Sequence, residues 1–293
     1  MGTRRANLLR WQQRVDPDAR NRNAARDVKQ LGAAVTAVRG GGDASGLASR
    51  IAKNAGTWGL SKRVAIALFA IPLPALPVAI VLSLTNQPWF YRITDEDQLV
   101  EWLQVVVLLI ASGAFLLLTR RHWRDGRRIS AVISILLAVG AFVVVGEEIS
   151  WGQRILGWAT PPTLDAINEQ GETNIHNIKS IATTSRLTQF VASGYGFLVP
   201  LVTLLPKAPR RVTESFFVPP VAVVSFFAGT FAYWAVRIPL DPTPAIFQIS
   251  EITELTSYSG LAVLGIVSLH RLRAAAGGPR PTGDALSRPK ARH

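Results

Sequence analysis

The chain has 293 residues, 48% of them hydrophobic, no cysteine and a formal net charge of +13. Its apolar residues gather in long blocks instead of the even scatter of a soluble globule, so the charge is a matter of membrane topology and not a sign of nucleic-acid binding. Without cysteine, disulfides, thiolate catalysis and cysteine-held zinc or iron–sulfur centres are excluded.

Residues 1–62 come first, a basic arm that brings 13 Lys and Arg by Arg63 and is broken by Gly40, Gly41 and Gly42. Short helices are predicted over 7–15 and 24–38 of this partly helical or disordered arm. Its plainest role is that of a cytoplasmic segment attracted to anionic lipid headgroups. Six apolar blocks follow within 63–272, at 64–84, 99–118, 129–145, 187–205, 216–236 and about 246–269. Each approaches or exceeds the roughly 20 residues that carry a helix across about 30 Å of hydrocarbon. The first begins too far into the chain, and is too long, for a cleavable signal core, so it is expected to act as an internal anchor. Pro72, Pro74 and Pro77 predict a kink in it. Pro219 and Pro220 open the fifth block, where a first turn tolerates proline. Trp89, Trp102, Trp151 and Trp234 fall near the expected interfaces, as an aromatic belt does. Residues 273–293, rich in Gly, Pro and Arg, read as a disordered basic tail. No internal repeat is evident, which counts against an inverted-repeat transporter.

Placing the connections alternately on two sides gives one face 27 Lys and Arg against 7 Asp and Glu, and the other 5 against 12. By the positive-inside rule the first face is cytoplasmic, and both termini lie there. The expected fold is therefore an all-α polytopic bundle of six transmembrane helices in the cell's inner, or plasma, membrane, with a long outer connection over 146–186.

That outer face collects carboxylates. Glu101 opens the second block, with Gln104 on the same side of the helix. Glu147 and Glu148 close the third, and Glu251 and Glu254, spaced i,i+3, enter the sixth, with Tyr258 on the same face. The outer connection adds Glu169, Glu172 and His176, which share a face if 168–177 is helical; Gly171 counts against such a helix. Ionised groups in a span are costly and normally face a bundle interior or a watery cavity. Glu101 and Glu251 have a simpler alternative, because negative charge is favoured in the first turn of a helix. Glu147 and Glu148 have the dipole against them, so compensation is expected. Arg154 supplies it if the helix runs on through Ser150 and Gln153; a bound cation is the alternative.

The string Gly-Glu-Glu-Ile-Ser-Trp-Gly-Gln-Arg at 146–154, followed by Asn-Glu-Gln-Gly-Glu-Thr-Asn-Ile-His-Asn at 168–177, resembles a signature of uncharacterised multi-span bacterial membrane proteins. Glu96, Asp97 and Glu101 fit the same pattern, which covers residues 95–260, and Ile175 stands where leucine is more usual. The resemblance implies that Glu147, Glu148, Trp151, Gln153, Arg154, Asn168, Glu172, Asn174, His176 and Asn177 matter, and implies no particular activity.

Of four histidines, His122, His270 and His293 fall on the opposite face, leaving His176 alone. A three-histidine zinc centre and a di-iron bundle site are thereby excluded. What fits is an oxygen-rich site for Mg²⁺, Mn²⁺ or Ca²⁺ built from Glu101, Glu148, Glu251, Glu254 and His176. Three functions suit the pattern. In the first, the protein is an enzyme acting on a lipid or lipid-linked substrate. Glu147, Glu148, Glu172 and His176 then perform acid–base work, and Trp151, Gln153, Arg154, Asn168, Asn174 and Asn177 bind the substrate. The second is a cation- or proton-coupled transporter or channel subunit, and the third a non-catalytic assembly or lipid-binding protein. A polar path toward the cytoplasm marks the second; a deep pocket on which Glu147, Glu172 and His176 converge separates the first from the third.

Overall fold

The computed structural model describes residues 44–95, 98–168, 170–205, 207–209, 212, 215–240 and 248–277. The predicted arm helices at 7–15 and 24–38, Glu96, Asp97, Glu169, and the tail beyond 277 lie outside the described residues. Everything described is helix or connection, with one isolated bridge between Asn168 and Ile178.

Helix α1 (Ala44–Thr57) precedes the first long segment. That segment is two helices, α2 (Lys62–Ala70) and α3 (Ala75–Thr85), because Pro72 and Pro74 cannot continue the hydrogen-bond ladder. Ser61 caps α2 by accepting from the amide of Val64. Asn86 likewise caps α4 (Gln87–Thr94), whose first turn holds a proline. The long helix α5 (Leu99–Arg124) turns tightly into α6 (Arg128–Glu148). Two single-turn helices follow, α7 (Gln153–Leu156) and α8 (Pro162–Asp165). The last three are α9 (Lys179–Leu201), α10 (Val224–Leu240) and α11 (Ile249–Gly277).

Six of these stretches are long and apolar enough to cross a membrane. Some boundaries differ from the sequence-based expectation. The fifth stretch begins at Val221, not at 216, since Pro219 and Pro220 hold the chain extended ahead of it. The sixth runs eight residues beyond 269, to Gly277.

Within residues 51–293 the helices form a row. α6 lies on α5, α5 on α11, α11 on α10 and α10 on α9, while α3 packs on α11. Leu108, Ala111, Ala141, Val145 and Ala262 seal the junction of α5, α6 and α11. At the other junction the ring of Phe227 wedges between Gly196 of α9 and Gly260 of α11. A Cβ would stand 2.5 Å from that ring at Gly196 and 3.0 Å at Gly260, so only glycine permits the approach. Outward faces are apolar: Leu109, Leu116, Leu117, Val132, Leu136, Phe142 and Leu198 are all exposed. Trp89, Trp102 and Trp151 are exposed as well, but Trp234 is a core residue, packed with Ala79, Phe90 and Ile249.

Candidate functional site

One end of the row carries the acidic helix ends, and the residues between α6 and α9 fold back over it. The reversal starts where α6 stops. After Glu148 the helix does not continue; Ser150 and Trp151 take left-handed backbone angles, with φ of 45° and 55°, and Gly152 follows at 88°. Left-handed residues other than glycine carry a steric cost of about 1–2 kcal/mol each. Side-chain bonds hold the turn: the Trp151 indole donates to Glu147 Oε1 at 2.7 Å, and Ser150 Oγ donates to Glu172 Oε2 at 2.7 Å.

This turn corrects the expectation that Arg154 answers the carboxylates from the next helical turns. The ladder is broken before Arg154 is reached, and its side chain lies outside the described residues. Glu147 is compensated instead by the returning chain. Its Oε2 accepts the amides of Ile175 at 2.7 Å and His176 at 2.9 Å, and lies 3.3 Å from His176 Nδ1. One buried carboxylate thus serves four donors, which pins the loop and fixes the histidine ring. No described hydrogen bond involves His176 Nε2.

The rest of the loop is not helical either; Gly171 sits at φ 67°. Asn168 organises it, donating to Asn174 O and Oδ1 at 3.0 and 2.9 Å and accepting from the amides of Gln170 and Glu172 at 2.8 and 3.2 Å. Asn174 Nδ2 donates to Glu172 Oε2 at 2.5 Å, and Asn177 donates to Gln170. Gln153 is committed at both ends, donating to Thr160 Oγ1 at 2.7 Å and accepting from the Thr173 amide at 2.6 Å. Trp151, Gln153 and Asn168 thus hold the loop in shape.

Beneath the loop lies a polar cavity of about 510 Å³. Its wall brings together Glu101, Glu148, Glu172, His176 and Glu251, with Asn174 and Asn177 beside them. Glu147 stands behind His176, away from this wall. Gln104, fully buried, donates to Glu251 Oε2 at 3.2 Å and to its backbone carbonyl at 2.9 Å. Sequence reasoning gave no site role to five members of the wall: Thr94, Asp95, Gln98, Gln170 and Gln248. Gln248 donates to Asp95 at 3.0 Å, joining the start of α11 to the end of α4. For Thr94, Asp95, Gln98 and Gln248 the signal was position, as polar residues flanking the ends of apolar blocks, and for Gln170 its place in the string at 168–177.

Among the described residues no group of three or more His, Asp or Glu is close enough to hold a metal ion. Of the expected ligand set, Glu101, Glu148, Glu251 and His176 line the polar cavity and Glu254 does not; His176 contacts Glu147, Gln104 donates to Glu251, and Tyr258 stands between Glu148 and Glu254. The Tyr258 hydroxyl is 3.4 Å from Glu148 Oε1 and 3.4 Å from Glu254 Oε2. Glu254 lines a second cavity further along α11.

Comparison with protein-family models, characterised proteins and solved structures returns no match.

Proposed function

We propose that the protein is a six-span integral membrane protein of the plasma membrane, with both termini cytoplasmic, and that it is an enzyme acting at the outer face on a lipid or lipid-linked substrate. The membrane reading is supported by apolar side chains exposed on the outward faces of the long helices, which water would not tolerate over such an area. The charge imbalance between alternate connections supports the orientation.

The observation that carries the catalytic reading is the Glu147–His176 contact at the wall of the polar cavity. A carboxylate bound at Nδ1 sets the tautomer and orientation of an imidazole and leaves Nε2 to take a proton. In this reading His176 is the general base, acting on a water or hydroxyl held in the cavity. Glu147 is a positioning residue, and Glu148, across the same cavity, is the second proton carrier. A transporter is less favoured, because beyond Tyr258 the described wall along α11 is Leu261 and Leu264, with Ser268 alone at its far end, a poor path for an ion.

The test is to reconstitute the purified protein in liposomes of bacterial total polar lipid and to follow each lipid class by mass spectrometry. The wild type is expected to consume one class. His176→Ala should reduce the rate at least a hundredfold, in keeping with the about 10²–10⁴ contributed by a positioned general base. Glu147→Gln should give an intermediate loss and a displaced pH profile. An unchanged rate in folded His176→Ala overturns the assignment, as does a wild type that alters no lipid.

A further inference from the structure

A second cavity, of about 700 Å³, is separate from the polar one and lies between the two ends of the helix row. Ile133 and Leu137 of α6 line one side and Val191, Ala192 and Tyr195 of α9 the other, with Leu261 and Leu264 of α11 between them. It extends along α11 from Glu254 to Ser268, a rise of about 21 Å at 1.5 Å per residue. Val191, Ala192 and Tyr195 are exposed, so the wall formed by α9 opens sideways.

Nearly all of the lining is apolar, and its polar groups are concentrated at the end nearest the polar cavity. Thr230 and Ser257 share a hydrogen bond of 2.6 Å there, beside Gln189, Glu254 and Tyr258. Tyr258 also reaches Glu148, which lines the polar cavity. A single side chain therefore joins the two spaces. None of the described residues lining the long cavity is basic.

We infer that this cavity holds the hydrocarbon chain of the substrate, and that the substrate is an uncharged, hydroxyl-bearing lipid of the diacylglycerol class that enters between α6 and α9. The inference rests on the enzymatic reading above and names the substrate of that site. Its length and apolar walls match a chain lying along a span. The polar end decides the head group: Glu254 and the hydroxyls of Thr230, Ser257 and Tyr258 offer hydrogen-bond partners to a hydroxyl, and the described lining offers no positive charge to a phosphate. Among the described residues no lining cation neutralises a phosphate, and a buried unpaired anion is costly.

The experiment uses the full chain in phosphatidylcholine liposomes with a diacylglycerol that carries a photoactivatable diazirine and a clickable alkyne on one chain. Phosphatidic acid with the same chain is the control. Diacylglycerol should label peptides from α6 and α9 at least tenfold more strongly than phosphatidic acid, and excess unlabelled diacylglycerol should suppress the labelling. Ala192→Trp, which fills the mouth from an exposed position, should lower labelling at least tenfold. Val191→Trp provides a second plug should the first fail to fold. Equal labelling by the two lipids overturns the head-group assignment, and labelling that persists in a folded plug variant overturns the cavity assignment. His176→Ala should label as the wild type does. Labelling in that background without lipid turnover in the wild type defeats the catalytic reading alone; turnover without labelling of α6 and α9 defeats the chain site alone.

Discussion

At the residue scale the molecule spends strain and charge on one short stretch. Ser150 and Trp151 adopt a backbone conformation that suits glycine, yet neither is glycine, because each side chain is needed as a donor to a different glutamate. Two substitutions at Ser150 separate these terms. Ser150→Ala loses the bond to Glu172 and keeps the steric cost, whereas Ser150→Gly loses the same bond and relieves it. Glycine should therefore be the milder change, by about 1–2 kcal/mol in thermal unfolding of the detergent-solubilised protein. If alanine is the better tolerated residue, the left-handed turn is not what holds the loop. Little of this was legible in the sequence. The string around Glu147 marked the position, but a helix continuing to Arg154 and one broken at Ser150 have the same local composition. The choice is made by long-range bonds, from Glu147 to Ile175 and His176 and from Ser150 to Glu172.

At the scale of elements, the apolar blocks predicted the long helices because their signal is local, a run of some 20 residues without charge. What the blocks left open was which helices touch. That is decided by glycines on α9 and α11, which let Phe227 of α10 occupy space that any Cβ would claim. Gly196→Ala should destabilise the protein by about 1–3 kcal/mol, the usual cost of overpacking a close contact. Gly113, on α5, is the control, since a Cβ there meets nothing within 4 Å. Gly113→Ala should be neutral or slightly stabilising in the same melt, because alanine is the better helix former. An equal gain at both positions would show that helix propensity, and not the wedge of Phe227, governs the response. The same packing shapes the long cavity, for Phe227 and Gly196 both line it, so this junction joins stability to chain binding.

At the scale of the whole molecule, the acidic cavity and the basic connections occupy opposite ends of the same helices, and the functional reading depends on which end faces the cytoplasm. The charge count that orients the chain, 27 Lys and Arg against 7 acidic residues on one face, includes 13 basic residues by Arg63. It therefore needs a test at individual connections. Because the chain has no cysteine, single cysteines can be introduced without background. Ile167→Cys lies in the loop that covers the polar cavity, Arg124→Cys at the turn between α5 and α6, and Ala208→Cys after α9; the first two positions are exposed. In intact cells a membrane-impermeant maleimide should modify Ile167→Cys and leave Arg124→Cys and Ala208→Cys untouched until the membrane is permeabilised. The reverse pattern would turn the molecule over, place the carboxylate cavity in the cytoplasm and remove the outer leaflet as the source of substrate. Modification of all three in intact cells would mean that alternate connections do not lie on opposite sides, and the six-span reading itself would fall.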